Sequence, residues 1–393
     1  MNILFIATFP IIPHEGGVQR VTDTLSREFL KRGHQVTYLC YSRKHKLSYP
    51  NFLCDQLYIE LSGQTDLEFQ EQLRQYVVQY KISHVINQIC DESSNRIVRL
   101  LPDFIRDKVI YTYHIIPFSC LSITRKRIWN SPVHNFRQLI FKYASFVCPS
   151  IYKNFFLKIE KKNILDGMEL ATKFCLISHK FVPDILRVIP DISLDKMVAI
   201  NKPNTYPAQV DLPDFQVREK SVLWVGRVEN TQKNLVGFIN MWSLFSQNHP
   251  DWNAYIVGDG DDFEYFKAYV SKKNIQNLHF EGAQKDVMPY YKKCRFIAVT
   301  SFGESWGMIL TEAMTCGCIP IVMNTFATLT DIVDDRINGL ISDFDDKQMA
   351  NLLATAAADV ELCKSLSKNA VEKAEKFDVK VIADSWISLL QSL

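Results

Sequence analysis

The sequence predicts an α/β protein built from two doubly wound parallel sheets. Two observations carry this. Short apolar runs alternate with longer amphipathic stretches, and the alternation restarts after a proline-bearing segment in the middle of the chain. Ile3–Ala7 reads as the first strand, and Val18–Arg32 as a helix with Val21, Leu25, Phe29 and Leu30 on one face, stopped by Gly33. Val36–Cys40 is the next strand, which completes a βαβ unit. His84–Gln88, Val109–Tyr113 and Phe174–Ile177 read as further strands. Asn201–Asp214 holds Pro203, Pro207 and Pro213 and reads as a linker. Beyond it, Ser221–Val225, Ala254–Val257, Leu278–Phe280, Phe296–Thr300 and Ile319–Val322 form a second strand series with helices between. Ligands of such sheets bind outside the carboxyl ends of the strands, and a cleft between the domains is the expected active site.

Composition agrees with this class. A chain of 393 residues that is 47% hydrophobic has ample core for two domains, and a charged fraction of 22% argues against disorder. No run of 18 apolar residues is present, so no segment is expected to span a bilayer. The start Met1-Asn2-Ile3-Leu4-Phe5-Ile6 lacks the basic lead and small-residue cleavage site of a signal peptide and reads as a strand. The ten cysteines form no paired CxxC sets and read as reduced, mostly buried thiols. Cys316 and Cys318 lie close together, but two thiols do not make a zinc site. The expected location is the cytoplasm.

Charge is divided unevenly. Residues 1–204 hold 27 Lys/Arg against 18 Asp/Glu, a balance of +9, whereas residues 205–393 hold 18 against 25, a balance of −7. Segment 124–162 has nine Lys/Arg and one acid, Glu160, interleaved with Ile128, Trp129, Phe136, Leu139, Ile140, Phe141, Tyr152, Phe155 and Phe156. Two readings stand side by side: a solvated basic face on core helices, or a surface that meets anionic lipid headgroups. Nothing points to nucleic acid as a partner.

Three loops at strand ends hold the candidate chemistry. The first runs Ser301-Phe302-Gly303-Glu304-Ser305-Trp306-Gly307-Met308-Ile309-Leu310-Thr311-Glu312-Ala313-Met314, with a helix expected from Trp306 to Gly317. A helix that starts just after a strand offers free backbone N–H groups and a positive dipole end, which suits a phosphate. Glu304 precedes that helix and Glu312 lies within it; the six residues from Trp306 to Glu312 rise ~9 Å, roughly the span from a sugar to a ribose across a diphosphate. Two surface acids on an amphipathic helix would be the plainer reading. The second loop is Gly226-Arg227-Val228-Glu229-Asn230-Thr231-Gln232-Lys233-Asn234, where Arg227 can grip two phosphate oxygens and Lys233 adds a mobile point charge. The third is Pro13-His14-Glu15-Gly16-Gly17-Val18-Gln19-Arg20, whose paired glycines let a ligand approach the backbone. It is neither a GxGxxG fingerprint nor a P-loop, so NAD and ATP lack support.

These loops resemble those of family 4 glycosyltransferases. That family's signature is a Glu, seven residues and a second Glu, in a stretch ending Glu-Ala-Met with a later Gly-x-Pro. Here it is Glu304 to Glu312, then Ala313-Met314, followed by Gly317-Cys318-Ile319-Pro320, in which two residues instead of one separate the glycine from the proline. Gly16-Gly17, Gly226-Arg227 with Lys233, Val257-Gly258-Asp259-Gly260, Phe280-Glu281-Gly282 and Asn338-Gly339-Leu340 follow in the family's order. The resemblance implies the GT-B fold: two facing Rossmann-like domains with a C-terminal helix returning to the N-terminal domain. The expected divisions are an acceptor-binding domain over 1–204, a nucleotide-sugar-binding domain over 205–375 and the returning helix over 376–393. It also implies transfer, with retention of anomeric configuration, from a nucleotide-diphosphate sugar to a glycan or lipid-linked glycan of a bacterial surface polysaccharide. No metal and no cofactor are expected.

By the same resemblance, Glu304 would be catalytic and hydrogen-bond the donor sugar, Glu312 would hold the ribose, and the segment after Gly282 would meet the base. Arg227, Lys233 and the backbone of Gly307, Met308 and Ile309 would bind the diphosphate, with Gly17 also lining the donor site. His114, in Thr112-Tyr113-His114, matches a family position close to donor and acceptor, although a lone His after an apolar strand is as readily structural. The chain departs from the family pattern at Ser305, where Gly is common, and at Asn324-Thr325-Phe326-Ala327-Thr328, where a Gly-rich loop stands. Two rivals share the sugar-nucleotide site: a 2-epimerase of the same fold, which needs no acceptor, and a binding protein without turnover.

Overall fold

A computed structural model describes residues 1–13, 16–41, 53–58, 65–122, 136–207 and 211–393. Those residues divide into two compact units. The first runs from Met1 to Thr205 and resumes over Val379–Leu393; the second runs from Tyr206 to Asp378.

The first unit is built on a seven-stranded, wholly parallel sheet. Its strands are β1 (Asn2–Ala7), β2 (Gln35–Cys40), β3 (Asp55–Tyr58), β4 (His84–Asn87), β5 (Val109–Tyr113), β6 (Lys173–Leu176) and β7 (Met197–Ala199), in the spatial order β3-β2-β1-β4-β5-β6-β7. All five residues of β5 are buried, as are five of the six in β1. Both faces of a parallel sheet are covered by helices, which is why these strands are apolar throughout instead of alternating. The helix Gly17–Lys31 packs Val21, Leu25 and Phe29 inward and ends ahead of Gly33, whose φ of +79° closes its last turn.

The chain's last helix, Val379–Gln391, belongs to this first unit. It lies against the helix Gly17–Lys31, buries Ile382, Ala383, Trp386 and Leu390, and is tied down by Arg32, which donates to the Asp384 carboxylate and to the Lys380 carbonyl.

The second unit has a six-stranded parallel sheet of β8 (Glu219–Val225), β9 (Asn253–Val257), β10 (Leu278–Gly282), β11 (Cys294–Val299), β12 (Ile319–Met323) and β13 (Leu340–Ser342), ordered β10-β9-β8-β11-β12-β13. Trp224, Phe238, Trp242, Phe245 and Trp252 fill the core on one face. Buried Arg218, just before β8, donates to the carbonyls of Tyr291, Cys294 and Cys316, so three chain turns at that end of the sheet converge on one guanidinium. Both sheets reverse direction once. The switch points lie between β1 and β4 and between β8 and β11.

Two expectations need correcting. The helix of the first loop begins at Met308, not Trp306. Gly307 takes φ +81°, a left-handed conformation that cannot continue into a right-handed helix. The helical rise to Glu312 is therefore four residues, about 6 Å, and the rest of the spacing comes from the loop. Secondly, β3, β7 and β13 were not foreseen; each has only three or four residues and lies at or next to a sheet edge.

Candidate active site

In the second unit the chemistry collects at the switch point. The loop after β8 and the loop after β11 leave neighbouring strands that turn in opposite directions, so a crevice opens between them. A run of hydrogen bonds zips the two loops together. The Phe302 N–H donates to the Gln232 carbonyl (2.8 Å) and Gln232 Nε2 to the Gly303 carbonyl (3.4 Å). The Asn234 amide donates to the Thr300 carbonyl (2.9 Å), and the Thr300 hydroxyl to the Asn234 carbonyl (3.0 Å). Asn234 sits at φ +49° and also caps the helix Leu235–Ser246, a position where a short polar side chain tolerates left-handed backbone.

Across this seam Lys233 meets Glu304. The Lys233 ammonium lies 2.7 Å from Glu304 Oε1, and the Ser301 hydroxyl donates to the same oxygen at 2.7 Å. Glu304 is buried, so its carboxylate is fixed by one charged and one neutral donor. Two threonines brace the loop from behind. Thr325 donates to the Ser301 carbonyl (2.7 Å) and Thr328 to the Ser305 carbonyl (3.0 Å). They stand where the family pattern has its Gly-rich loop.

The helix Met308–Thr315 starts at the end of the Glu304 loop. Its first N–H groups, at Met308 and Ile309, have no partner within the helix, as at any helix start, and they point out of its amino end. Glu312, one turn along, is buried and accepts from the Tyr291 hydroxyl at 3.1 Å. Arg227 is exposed at the head of the β8 loop. That loop is pressed against the next one: the Val228 N–H donates to the Asp259 carbonyl (3.0 Å), and a Cβ on Gly258, at φ +142°, would lie 1.8 Å from the Gly226 carbonyl oxygen. Only glycine fits there.

The structure thus brings Arg227, Lys233, Glu304, Gly307, Met308, Ile309 and Glu312 onto two adjoining loops and one helix. It alters one expectation. Lys233 is not a free point charge but the ion-pair partner of Glu304. Ser301, Thr325 and Thr328 were not singled out by sequence, because hydroxyl residues in loops carry no signal of their own.

His114 and Gly17 belong to the first unit. Gly17 opens the helix after β1; His14 and Glu15 of that loop lie outside the described residues. His114 follows β5 and is buried, with Nε2 bonded to Gln88 Oε1. Burial, aided by the Lys202 charge, holds the imidazole well below its ordinary pKa, so the ring is neutral. With Nε2–H donating to Gln88, Nδ1 is a bare acceptor, and it has no partner among the described residues. Glu160, on the helix Pro149–Leu170, accepts from the Tyr113 hydroxyl and the Phe118 N–H (2.7 Å), which braces both sides of the turn that holds His114. Among the described residues no group of three or more His, Cys, Asp or Glu side chains is placed to hold a metal.

The glycosyl transferases group 1 family matches residues 212–373, the span that holds the switch-point site. That match takes in less than half of the chain. An uncharacterized glycosyltransferase of Haemophilus influenzae is 23% identical over 198 residues, covering 50% of this chain and 55% of that protein. A second relative is the GalNAc-alpha-(1->4)-GalNAc-alpha-(1->3)-diNAcBac-PP-undecaprenol alpha-1,4-N-acetyl-D-galactosaminyltransferase of Campylobacter jejuni. It is 25% identical over 175 residues, 44% of this chain and 48% of that one. The chain spans about half the length of these two relatives. The crystal structure of HepE from Anabaena, in complex with UDP and glucose, superposes over 100% of both chains with a TM-score of 0.73 at 15% identity. That likeness fixes the fold of the whole chain as GT-B, with its C-terminal helix.

Proposed function

We propose that the protein is a retaining glycosyltransferase that moves a sugar from a nucleotide-diphosphate donor to a hydroxyl of a glycan or lipid-linked glycan, without a metal. The observation that carries this reading is the Lys233–Glu304 pair across the β8/β11 switch point, beside the start of the helix Met308–Thr315. Sugar transfer builds negative charge on the departing diphosphate. Arg227, the two remaining donors of the Lys233 ammonium and the helix-start N–H groups supply positive charge to meet it. Glu304, held in one orientation, accepts from the donor sugar's hydroxyls, and Glu312 from the ribose. By the family resemblance, the departing phosphate itself takes the acceptor's proton on the face it leaves.

The Campylobacter jejuni relative is named for an undecaprenol-linked acceptor. The basic, aromatic segment 124–162 supports an acceptor of the same kind for this chain and docking on an anionic membrane face. Arg125, Lys126 and Arg127, the densest part of that charge, lie outside the described residues.

A panel of UDP-, GDP- and other activated sugars tests the donor class. One of them raises the melting temperature and is turned over only when an acceptor is added. Conversion of the sugar nucleotide without acceptor would establish an epimerase, and stabilisation without turnover across acceptor panels a binding protein.

A further inference from the structure

Among the described residues no helix is long and apolar enough to cross a membrane. The helix Phe136–Val147 is nonetheless turned inside out. With 3.6 residues per turn, Ile140, Tyr143 and Val147 fall within about 40° of Phe136 around the axis, and Leu139 within about 60°. This apolar stripe faces outward: Phe136 is 74% exposed, Ile140 55% and Val147 68%, with Leu139 and Tyr143 also exposed. Ser145, on the opposite side of the helix, is 4% exposed. A helix packed on a protein core does the reverse.

Charge completes the pattern. Arg137 and Lys142 lie about 100° and 120° to either side of the stripe's centre. In the next helix, Pro149–Leu170, Phe155 and Ile159 are exposed one turn apart beside exposed Lys158, Lys161 and Lys162. The only acid from Phe136 to Leu165 is Glu160, and its carboxylate is turned inward onto Tyr113 and Phe118. The outer surface of these two helices is therefore apolar residues with basic residues alongside; the carboxylate of Glu92, on a neighbouring helix, lies 3.8 Å from Lys162, which leaves Arg137, Lys158 and Lys161 as the basic residues nearest the stripe.

We propose that the helix Phe136–Val147 inserts its apolar stripe into the interface of an anionic phospholipid bilayer, with Arg137, Lys142 and the neighbouring lysines on the headgroups. An interfacial helix has this arrangement: a large apolar face seated at the acyl boundary and cations beside it at headgroup depth. A second copy of the chain is a poorer occupant, because two such faces would bring like charges together. The inference rests on the proposal that the protein works on lipid-linked substrate at a membrane, and goes beyond it in making apolar insertion, rather than charge alone, the holding interaction.

The experiment is co-sedimentation of the full chain with phosphatidylcholine vesicles with and without phosphatidylglycerol, at low and high salt, alongside the double variant I140D/V147D. Both sites are exposed, so the variant keeps the wild-type melting temperature. The wild type binds the anionic vesicles and keeps a large part of that binding at high salt; the variant loses roughly tenfold or more, because interfacial binding scales with buried apolar area. Binding that high salt abolishes and I140D/V147D leaves unchanged would overturn insertion while leaving electrostatic docking. No binding to anionic vesicles at low salt would overturn both. A concentration-dependent dimer that the double variant dissociates, with no vesicle binding, would assign the face to a second copy.

Discussion

Lys233→Ala and Glu304→Ala, with the double variant, form a cycle that isolates the pair at the switch point. Their side chains are 21% and 11% exposed, so this is not a solvent-screened surface bridge. Removing Lys233 leaves the Glu304 carboxylate with the Ser301 hydroxyl alone and removes a cation from the donor's phosphates. A hydrogen bond to a charged group contributes about 1.5–3 kcal/mol, which corresponds to a loss of roughly 10- to 150-fold in kcat/KM. The assay is initial-rate turnover of the sugar nucleotide that most stabilises the protein, with melting temperatures to show that each variant is folded. Glu304→Ala falls at least as far, since it removes both the sugar contact and the anchor of Lys233. The double variant falls by less than the product of the single losses, with a coupling of about 1 kcal/mol or more. Strict additivity would refute the claim that the two side chains act as one unit.

Three further outcomes follow from the same structure. Activity survives EDTA, because positive charge for the leaving group comes from Arg227, Lys233 and a helix start; an apo enzyme wholly dependent on added magnesium or manganese contradicts this. His114→Gln flattens the acid limb of the stability profile. Burial lowers the folded His114 pKa, so the unfolded chain takes up a proton first as pH falls below the ordinary value of 6.5; the stability held above that pH is lost progressively on acidification. Denaturant melts of wild type and variant that remain parallel from pH 7 down to pH 5 would contradict it. Gly258→Ala costs about 3 kcal/mol or more of stability, from a Cβ driven into the Gly226 carbonyl at a left-handed φ; a melting temperature within a degree or two of wild type would show that the loops separate easily.

The central strands were legible because a parallel sheet buried on both faces writes itself as continuous apolar runs: Val109–Tyr113 was read to the residue. The strands that escaped are three or four residues long, too short to show a period, and lie where burial is incomplete, as in Met197–Ala199. The site was legible as separate loops, since glycines, charged residues and a strand-to-helix junction each have a local cause. The joining of those loops was not. Lys233 and Glu304 are 71 positions apart, and nothing local says that one neutralises the other; it follows from β8 and β11 being neighbours while β9 and β10 lie on the far side. The same limit hid the bracing of Ser301 and Ser305 by Thr325 and Thr328. The outward turn of the helix Phe136–Val147 was also out of reach, because periodicity shows that a stripe exists but not which way it faces.

The most direct test of the account is NMR of the linkage formed from an α-linked sugar nucleotide and its acceptor, followed from the first turnover. The account predicts a new α-glycoside, formed only when both substrates are present and abolished or strongly reduced in the Glu304 and Lys233 variants. A β-glycoside, or an α-glycoside formed at an undiminished rate by those variants, would contradict it.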